Sequence, residues 1–251
     1  MYTSGSFKMM AKLSMRNTKN KVYLVSAVYV IIVTVMNFLI NQLVGMSEFL
    51  DKVYDAMNAG IMPGYSELIH MLPHPEIWEL IISLALSLMV NFVGIGFAGY
   101  CLKVSRGQEG KVSDLMCGFE FFGRAFVILL LRTIFVALWS MLFVVPGIIV
   151  AIKYSQSYYV MFDNPDLSAY RCMRASGNLM QGFKSFYFIM VLSFILWHFL
   201  DSMLTMLIFI PVVSIYLLPY MGVTYAHFYN ARIGYVAPEP EQSSGGDPFN
   251  M

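Results

Sequence analysis

The chain has 251 residues, 58% of them hydrophobic and only 12% charged. A soluble globular domain carries about twice that charged fraction, and a mean hydropathy of +0.65 sets the ordinary soluble classes aside. The net charge of +1 gives no basic excess that would point to nucleic acid, so the placement of charge along the chain has to carry the information.

Residues 1–21 are basic, with Lys8, Lys12, Arg16, Lys19 and Lys21. Phe7, Met10, Ala11 and Ser14 share one face at helical spacing, which predicts a short interfacial helix. It could bind acidic lipid headgroups; the plainer reading is a cytosolic flank that orients the first span. That span runs from Val22 to Val44. It is too long for a signal-peptide core and lacks a small-residue cleavage site, so it is expected to stay in the protein.

Segment 45–77 turns acidic, with Glu48, Asp51, Asp55, Glu67 and Glu76 against Lys52. Ser47 is a candidate cap, and Phe49, Leu50, Val53 and Met57 form a stripe ending at Gly60, which predicts an extracytoplasmic amphipathic helix. A second span covers about residues 78–102. It contains Gly94-Ile95-Gly96-Phe97-Ala98-Gly99, a literal G-x-G-x-x-G. Dinucleotide binding needs a strand before that motif; inside an apolar helix, Gly94 and Ala98 instead permit close helix packing.

A basic loop at 103–124 follows, with Lys103, Arg106, Lys111 and Arg124. Residues 125–162 are too many apolar residues for one span and enough for two short ones, with Pro146-Gly147 suited to the turn between them. Asp163-Asn164-Pro165-Asp166 then predicts a cytosolic helix over 166–181, capped by Asp163 or Asn164 and carrying Arg171 and Arg174. Residues 184–230 resemble a second hairpin, and 236–251 has the composition of a disordered tail.

Two phrases make the hairpins a repeat. Leu115-Met116-Cys117-Gly118-Phe119 and Leu179-Met180-Gln181-Gly182-Phe183 share L-M-x-G-F. Each precedes an apolar run, a proline (Pro146, Pro211), a second apolar run and an aromatic-Asn ending, Phe162-Asp163-Asn164 or Phe228-Tyr229-Asn230. A repeated unit of this kind is a supersecondary unit. Six crossings put nearly every loop Lys and Arg inside, whereas five would place Arg171, Arg174 and Lys184 outside. The expected fold is therefore all-α with six transmembrane helices and both termini cytosolic. Its parts are a basic segment 1–21, two spans over 22–102, a first hairpin repeat over 103–164, a cytosolic helix and second repeat over 165–232, and a tail over 233–251.

Four ionisable side chains fall within these spans: Arg132, Lys153, His198 and Asp201. At 1.5 Å per residue, Lys153 lies roughly 10 Å below Pro146 and Asp201 roughly 15 Å below Pro211. The two are expected to approach within ion-pair or water-bridged distance, with His198 on the Asp201 face. Membrane-depth charge reads as a hydrated pathway for an anion, a proton or a headgroup, or as a buried pair with a snorkelling arginine.

His70 and His74 are four residues apart, but Pro73 breaks the helix that would align them, so no metal is expected. Cys101, Cys117 and Cys172 read as free cytosolic thiols. No H-E-x-x-H, G-x-S-x-G or G-K-[ST] motif occurs, so neither catalytic residues nor a cofactor is expected.

Gly118-Phe119, Pro146-Gly147-Ile148-Ile149 with Tyr154, and Asp163-Asn164-Pro165 form a specific combination. It continues through Ser176, Met180-Gln181-Gly182-Phe183-Lys184, Leu192-Ser193-Phe194, Trp197, Pro219-Tyr220 and Phe228-Tyr229. Over Gly107 to Tyr229 the chain resembles a bacterial integral membrane family catalogued as domain of unknown function nine hundred and seventy-five. Leu204-Thr205-Met206-Leu207-Ile208 departs from the glycine-rich last turn of that family. The resemblance implies a multi-pass plasma-membrane protein and supplies no catalytic residues. Two functions are carried forward: a non-enzymatic component binding lipid, peptide or a membrane partner, with self-association open, and a small transporter or channel using the polar cluster.

Overall fold

α2 (Lys21–Val44), α5 (Ile77–Ser105), α7 (Phe122–Leu142) and α11 (Lys184–Ile208) are long and apolar enough to cross a membrane. The computed structural model describes residues 3–18, 21–60, 63–208 and 211–235. Among them no strand occurs, so the all-α expectation holds; the tail 236–251 expected to be disordered lies outside the described residues. The other helices are α1 (Ser4–Asn17), α3 (Met46–Asn58), α4 (Tyr65–Met71), α6 (Cys117–Glu120), α8 (Val144–Lys153), α9 (Ser157–Asp163), α10 (Ala169–Leu179) and α12 (Val212–Ile233). A 3-10 turn, Val112–Met116, leads into α6.

α5 is the central element, packed against α2, α12, α9, the 3-10 turn and α6. Its contact with the first L-M-x-G-F phrase depends on two missing side chains. A Cβ on Gly96 would lie 2.0 Å from the Leu115 carbonyl oxygen, and one on Gly118 would lie 2.2 Å from that of Phe92. Gly96 and Gly118 thus make the close approach that the spacing assigned to Gly94 and Ala98. Lys103 pairs with Asp114 at 2.8 Å and holds the 3-10 turn to the same helix. The second phrase uses its glycine differently: Gly182 has φ +76 with open space around it.

Burial is confined to one end of the long helices. The buried residues of α2 are Val22, Val25, Ser26 and Val30, all in its first half. Those of α7 are Ala125 and Ile128, again near its start, while those of α5 concentrate in its second half, from Phe92 to Ser105. On α11, Tyr187, Met190 and Phe194 are buried, whereas Leu196, Met206 and Leu207 stand exposed. The bundle is therefore knit at the end where α2, α7 and α11 begin and α5 ends. Its far halves present apolar surface that water would not tolerate at this extent.

α1 departs from expectation. Phe7, Ala11 and Met15 are buried against α12, α5 and α11, while Met10 is 37% exposed. The Phe7 ring meets Phe186 and Phe228 edge-on, and Ser14 Oγ lies 2.9 Å from His227 Nε2. The apolar stripe faces the protein rather than a lipid surface because α12 offers an aromatic wall for it. Two caps also move. Gly45, with φ +72, precedes α3, and Ser47 donates to Gln42 Oε1 instead of capping. α10 starts after Ser168, because Asp163 closes α9, Asn164 follows as its C-cap, and Pro165 cannot extend it.

α7 and α8 form a tight hairpin. Phe143 is extended between them, and Pro146 sits in the first turn of α8. A Cβ on Gly147 would lie 2.0 Å from Ser140 Oγ, so only glycine lets the arms come this close. The returning arm breaks at Tyr154–Gln156 before resuming as α9. Ser176 of α10 repairs the break: its hydroxyl donates to the Lys153 carbonyl at 2.8 Å and accepts from the Gln156 N–H at 3.2 Å. Both groups would otherwise be orphaned in an apolar setting.

Candidate functional site

Arg132 lies near the middle of α7, where a charge costs about 2.5–3.5 kcal/mol on insertion scales. It faces a groove of about 600 Å³ whose polar atoms come from Tyr29, Asn91, Thr133 and Tyr158. Gly94 lines the groove beside the Tyr29 hydroxyl, where a Cβ would make an ordinary contact at 3.5 Å. No Asp or Glu is among the described residues that line it. The Tyr158 hydroxyl is buried at the groove wall. It lies beside Arg132 and interacts with the guanidinium across the groove. The groove thus offers a cation with a hydroxyl beside it, a pairing suited to an oxygen-rich acceptor.

The other three expected residues lie elsewhere. Lys153 ends α8 with its ammonium 5.1 Å from the Tyr154 ring centroid and its Cε close against Gly177 of α10. Asp201 of α11 accepts a hydrogen bond from the Ser214 hydroxyl of α12 through Oδ2, while its buried Oδ1 has no partner. His198 is exposed on α11. Among the described residues no ion pair joins Lys153 to Asp201. The end of α8 is turned onto α10 by the repaired break, whereas Asp201 is held against α12 through Ser214.

A second polar centre went unforeseen. Arg106, following α5, makes a two-pronged pair with Asp163, Nη1 to Oδ1 at 2.7 Å and Nη2 to Oδ2 at 2.6 Å. Its Nε donates to Asn230 Oδ1 at 3.1 Å, and the Asn230 amide donates to Ser105 Oγ at 2.9 Å. The Tyr229 hydroxyl adds a 3.0 Å bond to Asp163 Oδ2. Burial works against the Arg106 charge, but the hydrogen bonds and attraction of Asp163 outweigh it and hold the guanidinium protonated. The network joins the ends of α5, α9 and α12. The available signal was the pair of endings, Asp163-Asn164 and Tyr229-Asn230. Sequence spacing alone assigned the first of these to a helix cap.

The thiols also differ from one another. Cys101 and Cys172 are buried and Cys117 is partly exposed, all of them free. Burial pushes the Cys172 thiol above its ordinary range. Among the described residues no group of three or more His, Cys, Asp or Glu is placed to hold a metal ion.

Residues 141–233 match the family model described as Protein of unknown function (DUF975). The resemblance read from Pro146-Gly147 through Phe228-Tyr229 is thereby borne out over those residues. The match takes in α8 to α12, including the Ser176 repair and the Asp163, Tyr229 and Asn230 members of the network. Gly118-Phe119 lies outside it. No curated protein and no solved structure gives a significant match to the chain.

Proposed function

We propose that the protein is a non-enzymatic multi-pass component of a bacterial plasma membrane that binds a membrane-borne ligand in the Arg132 groove. Six crossings with both termini cytosolic are the topology that accompanies this reading. Residues 144–163 span roughly 30 Å at helical rise, about the thickness of the hydrocarbon core, so the broken α8–α9 arm would serve as the fourth crossing. α12, with Pro219 inside it, would be the sixth. The two hairpins would be tandem repeats, with Pro146 in the first turn of α8 and Pro211 at the N-cap of α12.

The observation that carries the proposal is the Arg132 cation in a groove of about 600 Å³ whose described lining residues include no other cation and no carboxylate. A transport pathway would favour a continuous polar line. Lys153, Asp201 and Arg132 instead occupy three separate settings, which supports binding over conduction. A photo-crosslinking amino acid placed at Val136, which lines the groove, would test this in intact membranes. The expected result is an adduct with a lipid or membrane protein that is lost on Arg132→Gln. Absence of an adduct, together with Arg132-dependent ion flux in proteoliposomes, would overturn the proposal in favour of a transporter.

A further inference from the structure

We propose that the cavity between α8, α10 and the start of α11 holds the phosphate headgroup of an anionic phospholipid, with an acyl chain in the adjoining apolar groove. The cavity measures about 410 Å³ and is lined by Lys153, Arg174 and Lys184 together with the amides of Asn178 and Gln181. None of its described lining residues is Asp or Glu, and none of the three cations takes part in an ion pair among the described residues. Three unneutralised cations converging on one concavity create a field that only an anion satisfies.

The convergence is built by the fold. The Ser176 repair turns the end of α8 onto α10, which brings Lys153 beside Arg174. Gly177 supplies the room, since a Cβ there would lie 3.0 Å from Lys153 Cε. Gly182 at φ +76 then redirects the chain so that Lys184 opens α11 on the same cavity.

Lys184 also decides between a soluble anion and a lipid. It lines a second groove, of about 450 Å³, whose remaining wall is mainly Ile148, Ile149 and Ile152 of α8 with Phe188 and Ile189 of α11. A polar cavity with three cations that shares a residue with an apolar groove between α8 and the membrane-length α11 matches an amphiphile with a phosphate at one end. The proposal rests on the membrane reading above, not on Arg132. The Arg132 groove is read separately, by crosslinking at Val136, so the failure of one leaves the other intact.

Purified full-length protein in detergent, titrated with phosphatidylglycerol and with phosphatidylcholine of the same acyl chains, tests the proposal. Basic residues near a membrane surface each contribute about five-fold, so phosphatidylglycerol should bind on the order of 100-fold more tightly. Lys153→Gln, Arg174→Gln and Lys184→Gln combined should abolish that preference. Ile149→Trp, which fills the apolar groove, should weaken binding of both lipids.

Where the triple variant fails to fold, Arg174→Gln alone suffices, because Arg174 is exposed and its loss should cost about five-fold. Arg171→Gln, exposed on the same helix but not lining the cavity, should cost nothing. Equal affinity for the two lipids would overturn the proposal. So would equal losses from Arg171→Gln and Arg174→Gln, since general surface charge would then be the cause. Inorganic phosphate binding as tightly as phosphatidylglycerol would overturn the lipid assignment.

Discussion

Asp163→Asn should be among the most damaging single changes in the chain. The carboxylate accepts two bonds from Arg106 and one from Tyr229, and the paired side chains are only 13% and 19% exposed. Neutralising it leaves the guanidinium enclosed without its counter-charge, at a cost of roughly 3 kcal/mol, toward the low end for a fully buried pair. For a chain of this size that corresponds to a fall in Tm of about 6–12 °C. With the partly exposed Cys117 replaced by serine, a thiol-reactive dye in detergent reads the transition, because Cys101 and Cys172 are both fully buried and react only once the bundle opens. Arg106→Met should cost a similar amount. The double variant should cost clearly less than the sum, since the orphaned charge is gone. A Tm for Asp163→Asn within about 2 °C of the parent, or strict additivity in the double variant, would refute the reasoning.

Gly96→Ala drives a methyl into the Leu115 carbonyl, 2.0 Å away, and should cost roughly 3 kcal/mol by the same dye assay, whereas Gly123→Ala, with open space at its Cβ, should be nearly silent. Ser176→Ala orphans the Lys153 carbonyl and Gln156 N–H, and should cost about 2 kcal/mol, seen as a lower Tm. Lys153→Met should fail to rescue Asp201→Asn, the two effects adding because the residues have separate surroundings; a rescue would show that they pair.

The long apolar helices were legible because hydropathy over a span-length window is a strong signal. The turn before Pro146 was legible because Pro-Gly breaks an apolar run. The same signal could not show that α8 ends at Lys153, since Tyr154-Ser155-Gln156 carries no breaker. The break is instead stabilised by Ser176, distant in sequence. α1 was misjudged because an amphipathic stripe looks the same whether lipid or a protein wall covers it; the aromatics of α12 decided the matter. The depth argument for Lys153 and Asp201 assumed straight, parallel arms. No direct ion pair forms between these described residues, because the end of α8 turns onto α10 and Asp201 is held by Ser214 of α12. Arg106 and Asp163 were both visible as charges, but their meeting depends on three helix ends converging, which no local pattern encodes.

The topology on which the proposed function rests turns on the α7–α9 hairpin. In a cysteine-free background that still folds, single cysteines at Val144 and at Asp166 can be probed in intact cells with a membrane-impermeant maleimide. Both parent residues are exposed. With six crossings, the cysteine at 144 labels from outside and that at 166 labels only after the membrane is opened. Labelling at 166 from outside would mean that the chain does not return through the membrane after Phe143, and would contradict the account.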